Sequence, residues 1–170
     1  AMKFIQQRHL ESDAAAKHRQ RLQNEINILA HLQHPHIPTL YDHDQDFERP
    51  FLVMRYIAEA PYEDLITTGE MLKIRLEKRL AALKTLAQTL AFVHTESIIH
   101  RDIKPGSING IDTPYLLDFG ISIEAQNIPN AQEDVGTGIY MPPQNVPLGK
   151  SIDDYGFAVV AYEVIFGCHP

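Results

Sequence analysis

The sequence predicts an α+β fold with two lobes, a small and mainly β lobe packed on a helical lobe. Strand-like runs are concentrated early in the chain, whereas the longest buried helical pattern comes late. A length of 170 residues suits one domain, and a hydrophobic content of 44% is enough for a sizeable core.

The early part of the chain alternates strand and helix patterns. Ala1–Ile5 has small and apolar residues around Lys3, which is typical of a short strand. A helix is predicted from about Ala14 to Leu32, because its apolar residues recur at intervals of three and four. It should end before His34-Pro35, since proline disfavours helical geometry in the residue before it. Two further strands are predicted, at Ile37–Tyr41 and Phe51–Ile57.

Glu25 falls on or beside the apolar face of the first predicted helix. An unpaired charge that faces a core is costly, because it loses its hydration without compensation. The pattern therefore predicts that Glu25 has a partner.

The later part of the chain is mainly helical. Leucines from Leu72 to Leu90 and then Val93 predict one long amphipathic helix that ends near Glu96. Asn109-Gly110 is a strong hairpin turn signal, although Asp112-Thr113-Pro114 offers a second turn. A strand at Tyr115–Asp118, a mobile polar loop at 121–135 and a buried helix at Asp153–Phe166 complete the prediction.

Charge and cysteine content exclude several classes of function. The net charge of −7 argues against a nucleic-acid partner, since phosphate backbones are bound by clustered lysine and arginine. The single cysteine, Cys168, rules out an internal disulfide and favours a reducing, cytoplasmic location. No apolar run approaches the roughly 20 residues of a membrane span, so no membrane contact is expected from this segment. The oligomeric state is not predicted.

Two short motifs carry the functional prediction. His100-Arg101-Asp102-Ile103-Lys104-Pro105 precedes Asp118-Phe119-Gly120, and together they resemble the catalytic loop and the metal-binding triplet of the protein kinase family. The presence of both Lys104 and Thr137 resembles the pattern of serine/threonine kinases. The residue sequences of the two motifs look most like those of bacterial members.

The resemblance implies a two-lobed kinase fold that is partial at both ends. Residues 1–57 would be the remainder of the N-lobe and the hinge, without the first strands and the glycine-rich loop. Residues 58–170 would be part of the C-lobe, ending after the first buried helix beyond the activation segment. The first residue, Ala1, and the abrupt end at Pro170 also suggest an internal piece of a longer protein.

The resemblance also assigns the catalytic residues and the metal ligands. Asp102 would be the base, and Lys104 would neutralise the γ-phosphate of ATP. Arg101 matches the residue that in the family receives a phosphate from the activation segment, whose end contains Thr137 here. Because no Ser, Thr or Tyr lies between Ile123 and Val135, Glu133 or Asp134 would take the place of that phosphate. Asp118 would bind Mg²⁺, with help from Ser107.

The nucleotide site follows from the same resemblance. Ala1-Met2-Lys3 matches the strand whose lysine grips the phosphates, and Glu25 matches the helix glutamate that pairs with this lysine. Met54 would be the gatekeeper, and backbone groups of Arg55 and Ile57 would meet the adenine.

Several positions depart from the family pattern. Ser107 stands where the family has a metal-binding asparagine, and its hydroxyl is a shorter and weaker ligand. Gln144 and Ser151 replace a glutamate and the aspartate that braces the catalytic loop. Asp153 or Asp154 is a substitute for that aspartate with a shift in register. Asn109 falls where an apolar residue forms the adenine floor.

These departures leave two hypotheses open. One is a kinase that transfers the γ-phosphate of ATP to serine or threonine hydroxyls of a protein substrate. The other is a pseudokinase that binds and regulates a partner.

Overall fold

A computed structural model describes residues 2–4, 13–44, 50–125, 137–143 and 149–170 of the chain. Residues 2–4 and 13–16 are described by their backbone alone.

A three-stranded antiparallel sheet forms the early part of the structure. Its strands are β1 (Met2–Phe4), β2 (Leu40–Asp44) and β3 (Phe51–Met54), and β3 lies in the centre. The predicted bounds of β2 were wrong by three residues at each end. Pro38 has no N–H to donate to a ladder, so pairing begins only after it.

Helix α1 (Asp13–His31) confirms the predicted first helix. Leu22 and Ile26 pack with Leu52 of β3 in a small apolar cluster, whereas Leu29 belongs to the main core. The helix therefore connects the sheet to the rest of the molecule.

The helical part contains α2 (Tyr62–Thr67), α3 (Glu70–Lys73), α4 (Leu76–Thr95) and α5 (Lys150–Phe166). The predicted long helix was wrong at its start, because the backbone is extended at Ile74 and Arg75 and Leu72 lies in α3. Helix α2 was not predicted. Two short helices allow both Tyr62 and Met71 to be fully buried in the main core, which a straight helix would not.

Two antiparallel strand pairs frame the loops between α4 and α5. Strand β4 (Ile98–Ile99) pairs with β7 (Ile123–Glu124), and β5 (Ile108–Asn109) pairs with β6 (Tyr115–Leu116). Residues 121–125 are thus not the predicted loop but contain a paired strand, and 126–136 lie outside the described residues.

The turn between β5 and β6 combines the two predicted signals. Asn109 is the last residue of β5, and Gly110 has a φ of +82°, which favours glycine. The connection continues to Pro114 before β6 begins.

The main core lies between α4, α5 and the loops that follow β4 and β6, which contribute Ile103 and Phe119. The α+β class is confirmed, with a small sheet beside a larger helical part. Leu29 and Ile37 join the main core from the early part, so the division at residue 57 stays a prediction. None of the described helices is long and apolar enough to cross a membrane.

Candidate active site

The loop His100–Ser107, here the His100 loop, is held at its beginning by a buried carboxylate. Asp153 of α5 accepts hydrogen bonds from the backbone N–H of His100 (2.8 Å) and of Arg101 (2.7 Å). The same carboxylate contacts the His94 ring at 2.8 Å. Asp153 therefore makes the bracing contact, two positions after Ser151, and of the two substitutes that the sequence offered the structure selects Asp153 and not Asp154.

The His100 ring connects the two predicted motifs. It is fully buried, its Nε2 lies 2.8 Å from the carbonyl oxygen of Leu117, and it meets the Phe119 ring edge-on at 4.8 Å. Burial lowers the pKa of His100, although the charge of Asp153 opposes this shift. A neutral ring with its hydrogen on Nε2 donates to Leu117 and leaves Nδ1 to accept from Asp102 N–H, at 3.3 Å.

Three of the four predicted catalytic residues form one hydrogen-bonded set. Lys104 Nζ lies 2.7 Å from Asp102 Oδ2 and 2.9 Å from Thr137 Oγ1. Thr137 Oγ1 donates to the other oxygen, Asp102 Oδ1, at 2.8 Å. Both charged side chains are partly exposed, so the set combines a reachable carboxylate with a cation and a hydroxyl.

Arg101, the fourth residue, is mostly buried. Its φ is +69°, and Asp118 has a φ of +62°. Such left-handed backbone is uncommon for residues other than glycine and is concentrated at functional sites. Both predicted motifs thus contain one strained residue.

Asp118 and Ser107, the predicted metal ligands, lie in different environments. Asp118 is exposed, whereas Ser107 is fully buried and its hydroxyl is bonded to Lys104. Mg²⁺ in nucleotide sites is usually bound by one or two carboxylates together with phosphates. Asp118 fits such an ion and Ser107 does not. Within the described ranges, no group of three His, Cys, Asp or Glu side chains could hold a metal without a nucleotide.

The predicted phosphate-gripping pair is only partly described. Ala1 lies outside the described residues, and the backbone of Lys3 pairs with Leu52 in the sheet. Glu25 is 1% exposed. Its Oε2 lies beside Gly120, 3.7 Å from the point where a Cβ atom on that residue would be. Glu25 thus faces inward beside the loop Leu117–Gly120, here the Asp118 loop, and its pairing with Lys3 stays a prediction.

The predicted hinge follows β3. Met54 ends the strand and packs against both apolar clusters. The N–H of Arg55 donates to the carbonyl of Thr39, and its guanidinium lies 5.3 Å from the centre of the Tyr115 ring. Ile57 is half-buried. Contact of Arg55 and Ile57 with adenine stays a prediction.

Asn109 does not form an apolar floor. Its amide donates to the carbonyl of Glu59 at 2.8 Å, and the N–H of Gly110 donates to Ala60. These bonds fasten the segment that follows the predicted hinge to strand β5.

Two further contacts were missed by the sequence reasoning. Asn24 of α1 donates from Nδ2 to the carbonyl of Ser122 at 2.6 Å, which ties the helix to the chain after Gly120. The Tyr140 hydroxyl lies 3.1 Å from both carboxylate oxygens of the buried Glu163. Burial and then this negative charge raise the pKa of Tyr140. The only local signal for Asn24 in the sequence was that it is a polar residue next to Glu25 on α1.

Gln144, which departs from the family pattern, lies outside the described residues.

Comparison with known proteins gives one family. The model described as "Protein kinase domain" matches residues 1–170. The chain is 33% identical over 156 residues to "Serine/threonine-protein kinase Aurora-1" of Arabidopsis thaliana, covering 88% of this chain and 51% of that protein. It is 31% identical over 179 residues to "Serine/threonine-protein kinase ULK3" of Xenopus laevis, covering 100% of this chain and 36% of that protein.

A third relative is "Aurora kinase B" of Mus musculus, 30% identical over 176 residues, covering 100% of this chain and 49% of that protein. The chain spans about half the length of the curated relatives that it matches, or less. These three relatives are eukaryotic, and the resemblance to bacterial members stays a prediction.

Proposed function

This chain belongs to the protein kinase family, and on that premise we propose that its protein transfers the γ-phosphate of ATP to serine or threonine hydroxyls of a protein substrate. Members of the family use ATP with Mg²⁺. The observation that carries the proposal is the hydrogen-bonded set of Asp102, Lys104 and Thr137. It supplies a carboxylate and a cation within one hydrogen bond of each other at a partly exposed position.

Asp102 acts on the attacking hydroxyl in this proposal. Its carboxylate orients the hydroxyl and accepts its proton as the bond from oxygen to phosphorus forms. Thr137 donates to one carboxylate oxygen and thereby fixes the direction of the other. Lys104 offsets the negative charge that gathers on the transferred phosphoryl group.

Asp118 would hold the metal, since its carboxylate is exposed beside the buried Phe119. Bound Mg²⁺ supplies charge neutralisation and orientation for the phosphates. Lys3, positioned by Glu25, would bind the phosphates, and the hinge at 54–57 would meet the adenine. The β1–β3 pairing supports this, because it puts the backbone of Lys3 beside the strand that ends at Met54.

The choice of serine and threonine over tyrosine is supported by the contact of Lys104 with Thr137. The three relatives are named as serine/threonine kinases or Aurora kinases. A protein substrate and a cytoplasmic location are parts of the same proposal, and the net charge of −7 disfavours nucleic acid as a partner.

The test is Asp102→Asn in the full-length protein. Loss of a general base lowers kcat by about 10²–10⁴-fold, measured as transfer of radiolabelled phosphate to a generic protein substrate. Asp112→Asn is the matched control, because Asp112 is an exposed carboxylate paired with Lys78 in the turn before β6. Its activity should equal that of the wild type.

Equal phosphate transfer by Asp102→Asn and wild type would contradict the mechanism. A wild-type protein that binds nucleotide and transfers no phosphate would instead be a pseudokinase.

A further inference from the structure

Ser107 uses its hydroxyl to close the His100 loop on itself. Its Oγ donates to the carbonyl of Lys104 at 2.8 Å and accepts from the N–H of Lys104 at 3.1 Å. The backbone N–H of Ser107 donates to the same carbonyl at 3.0 Å. A serine hydroxyl has one donor and two acceptor lone pairs, so a single lone pair remains.

The surroundings of Ser107 make that lone pair a poor metal ligand. The residue is fully buried in a short 3₁₀ turn, Pro105–Ser107. Mg²⁺ needs near-ideal octahedral geometry and retains several water molecules, which requires an open site. The exposed carboxylate of Asp118 meets that requirement, and the buried hydroxyl does not.

Ser107 also connects the His100 loop with the Asp118 loop. Its carbonyl accepts from the N–H of Leu117 at 2.9 Å, and the carbonyl of Leu117 lies 2.8 Å from His100 Nε2. Leu117 is thus held on both sides by the His100 loop. The hydroxyl of Ser107 bonds to both the N–H and the carbonyl of Lys104. The side chain of Lys104 in turn contacts Asp102.

We propose that Ser107 is a positioning residue, which fixes the backbone of Lys104, and that the metal of the bound nucleotide is held by Asp118 without Ser107. The inference rests on the proposed function and deepens it, because it separates the residue that orients Lys104 from the residue that holds the metal. Lys104 depends on Ser107 for its orientation toward Asp102. The metal depends on Asp118.

The test is a pair of variants in the full-length protein, Ser107→Ala and Asp118→Asn, with two measurements. The first is the free Mg²⁺ concentration at which ADP binding is half-maximal, measured by titration calorimetry without turnover. Asp118→Asn should raise it by about tenfold or more, because a carboxylate ligand is lost, whereas Ser107→Ala should leave it within about twofold, because the buried hydroxyl is not a ligand. An increase in Ser107→Ala as large as that in Asp118→Asn would overturn the proposal.

The second measurement is hydrogen exchange of the Lys104 amide in the protein without nucleotide. Ser107→Ala removes its acceptor, so exchange should become about tenfold faster, as expected for one lost hydrogen bond. Asp118→Asn should not change it. Ser107→Thr keeps the oxygen and should restore protection. Thr113→Ala, at an exposed position, is the control for the loss of a hydroxyl. Unchanged exchange in Ser107→Ala, or no restoration by threonine, would refute the positioning role.

Turnover links the two roles. Ser107→Ala should lower kcat by about tenfold with little change in KM for ATP, because only the orientation of Lys104 is affected. An unchanged kcat would contradict the proposal. If the wild-type protein transfers no phosphate, the proposed function fails. Hydrogen exchange of the Lys104 amide would still test whether Ser107 closes the loop.

Discussion

The two ends of the His100 loop are held by different chemistry. At the His100–Arg101 end, a fully buried carboxylate of Asp153 accepts from two backbone N–H groups and contacts the His94 ring. At the Lys104–Ser107 end, a neutral hydroxyl exchanges two hydrogen bonds with one residue. Both anchors have fully buried side chains, and only the first carries a charge.

The difference indicates how firmly each end is fixed. Hydrogen bonds to a charged group contribute about 1.5–3 kcal/mol each, against about 0.5–1.5 kcal/mol for neutral pairs. The start of the loop, which precedes Asp102, is therefore fixed more strongly than its end. Variation at position 107 is accordingly less costly than variation at position 153.

The largest effect is expected for Asp153→Asn. The amide keeps the shape but loses the charge, and its NH₂ group would face a backbone N–H or the His94 ring. We expect a loss of about 3–5 kcal/mol in the free energy of unfolding, as for a broken buried pair, measured by urea denaturation.

Asp154→Asn is the matched control, because Asp154 is exposed on the same turn of α5. It should change the stability by no more than about 0.5 kcal/mol. A similar small loss in Asp153→Asn would remove the distinction between the two ends.

An intermediate effect is expected from pH. Burial holds the pKa of His100 below its ordinary value of 6.5, so the folded protein keeps this ring neutral while the unfolded chain takes up a proton. Stability should therefore decrease as the pH falls below 6.5, by up to about 1.4 kcal/mol per pH unit. Above that pH the ring contributes no slope.

The contribution of His100 is isolated by comparing two variants in urea unfolding from about pH 5 to about pH 7.5. His100→Gln should show a smaller slope, whereas His43→Gln, at an exposed position of β2, should keep that of the wild type. His34, whose pKa is also lowered by burial, adds to the slope in both variants. Equal slopes for His100→Gln and the wild type would show that folding does not lower the pKa of His100.

The smallest effect is expected for the stability of Ser107→Ala. Two neutral hydrogen bonds are lost, so the free energy of unfolding should fall by about 1–2 kcal/mol. Thermal unfolding of Ser107→Ala and Asp153→Asn, measured by calorimetry under the same conditions, tests which of the two anchors contributes more to stability. A larger loss at position 107 than at position 153 would reverse it.

The sequence predicted features that depend on neighbouring residues. The three- and four-residue spacing in α1 requires one buried face, which the exposures of Leu22, Ile26 and Leu29 confirm. Glu25 was expected to face inward on the same grounds, and it does. The break at Ile74 was missed because the leucine pattern continues across it.

Contacts between distant parts of the chain were not predictable in this way. Asp153 lies more than fifty positions from the N–H groups that it binds, so local pattern could not distinguish it from Ser151 or Asp154. The bond from Asn24 to Ser122 spans a still greater separation. Only packing of α5 and α1 against the loops selects these partners.

The sequence by itself determined the family, the α+β class and the order of the catalytic groups, because these depend on residue type and spacing. The tertiary structure decided which group supports which. Burial makes Asp153 an anchor and closes the Ser107 hydroxyl onto Lys104, whereas exposure leaves Asp118 open to a metal. Burial of a polar group requires a hydrogen-bond partner, and the partner is fixed only when the chain has folded.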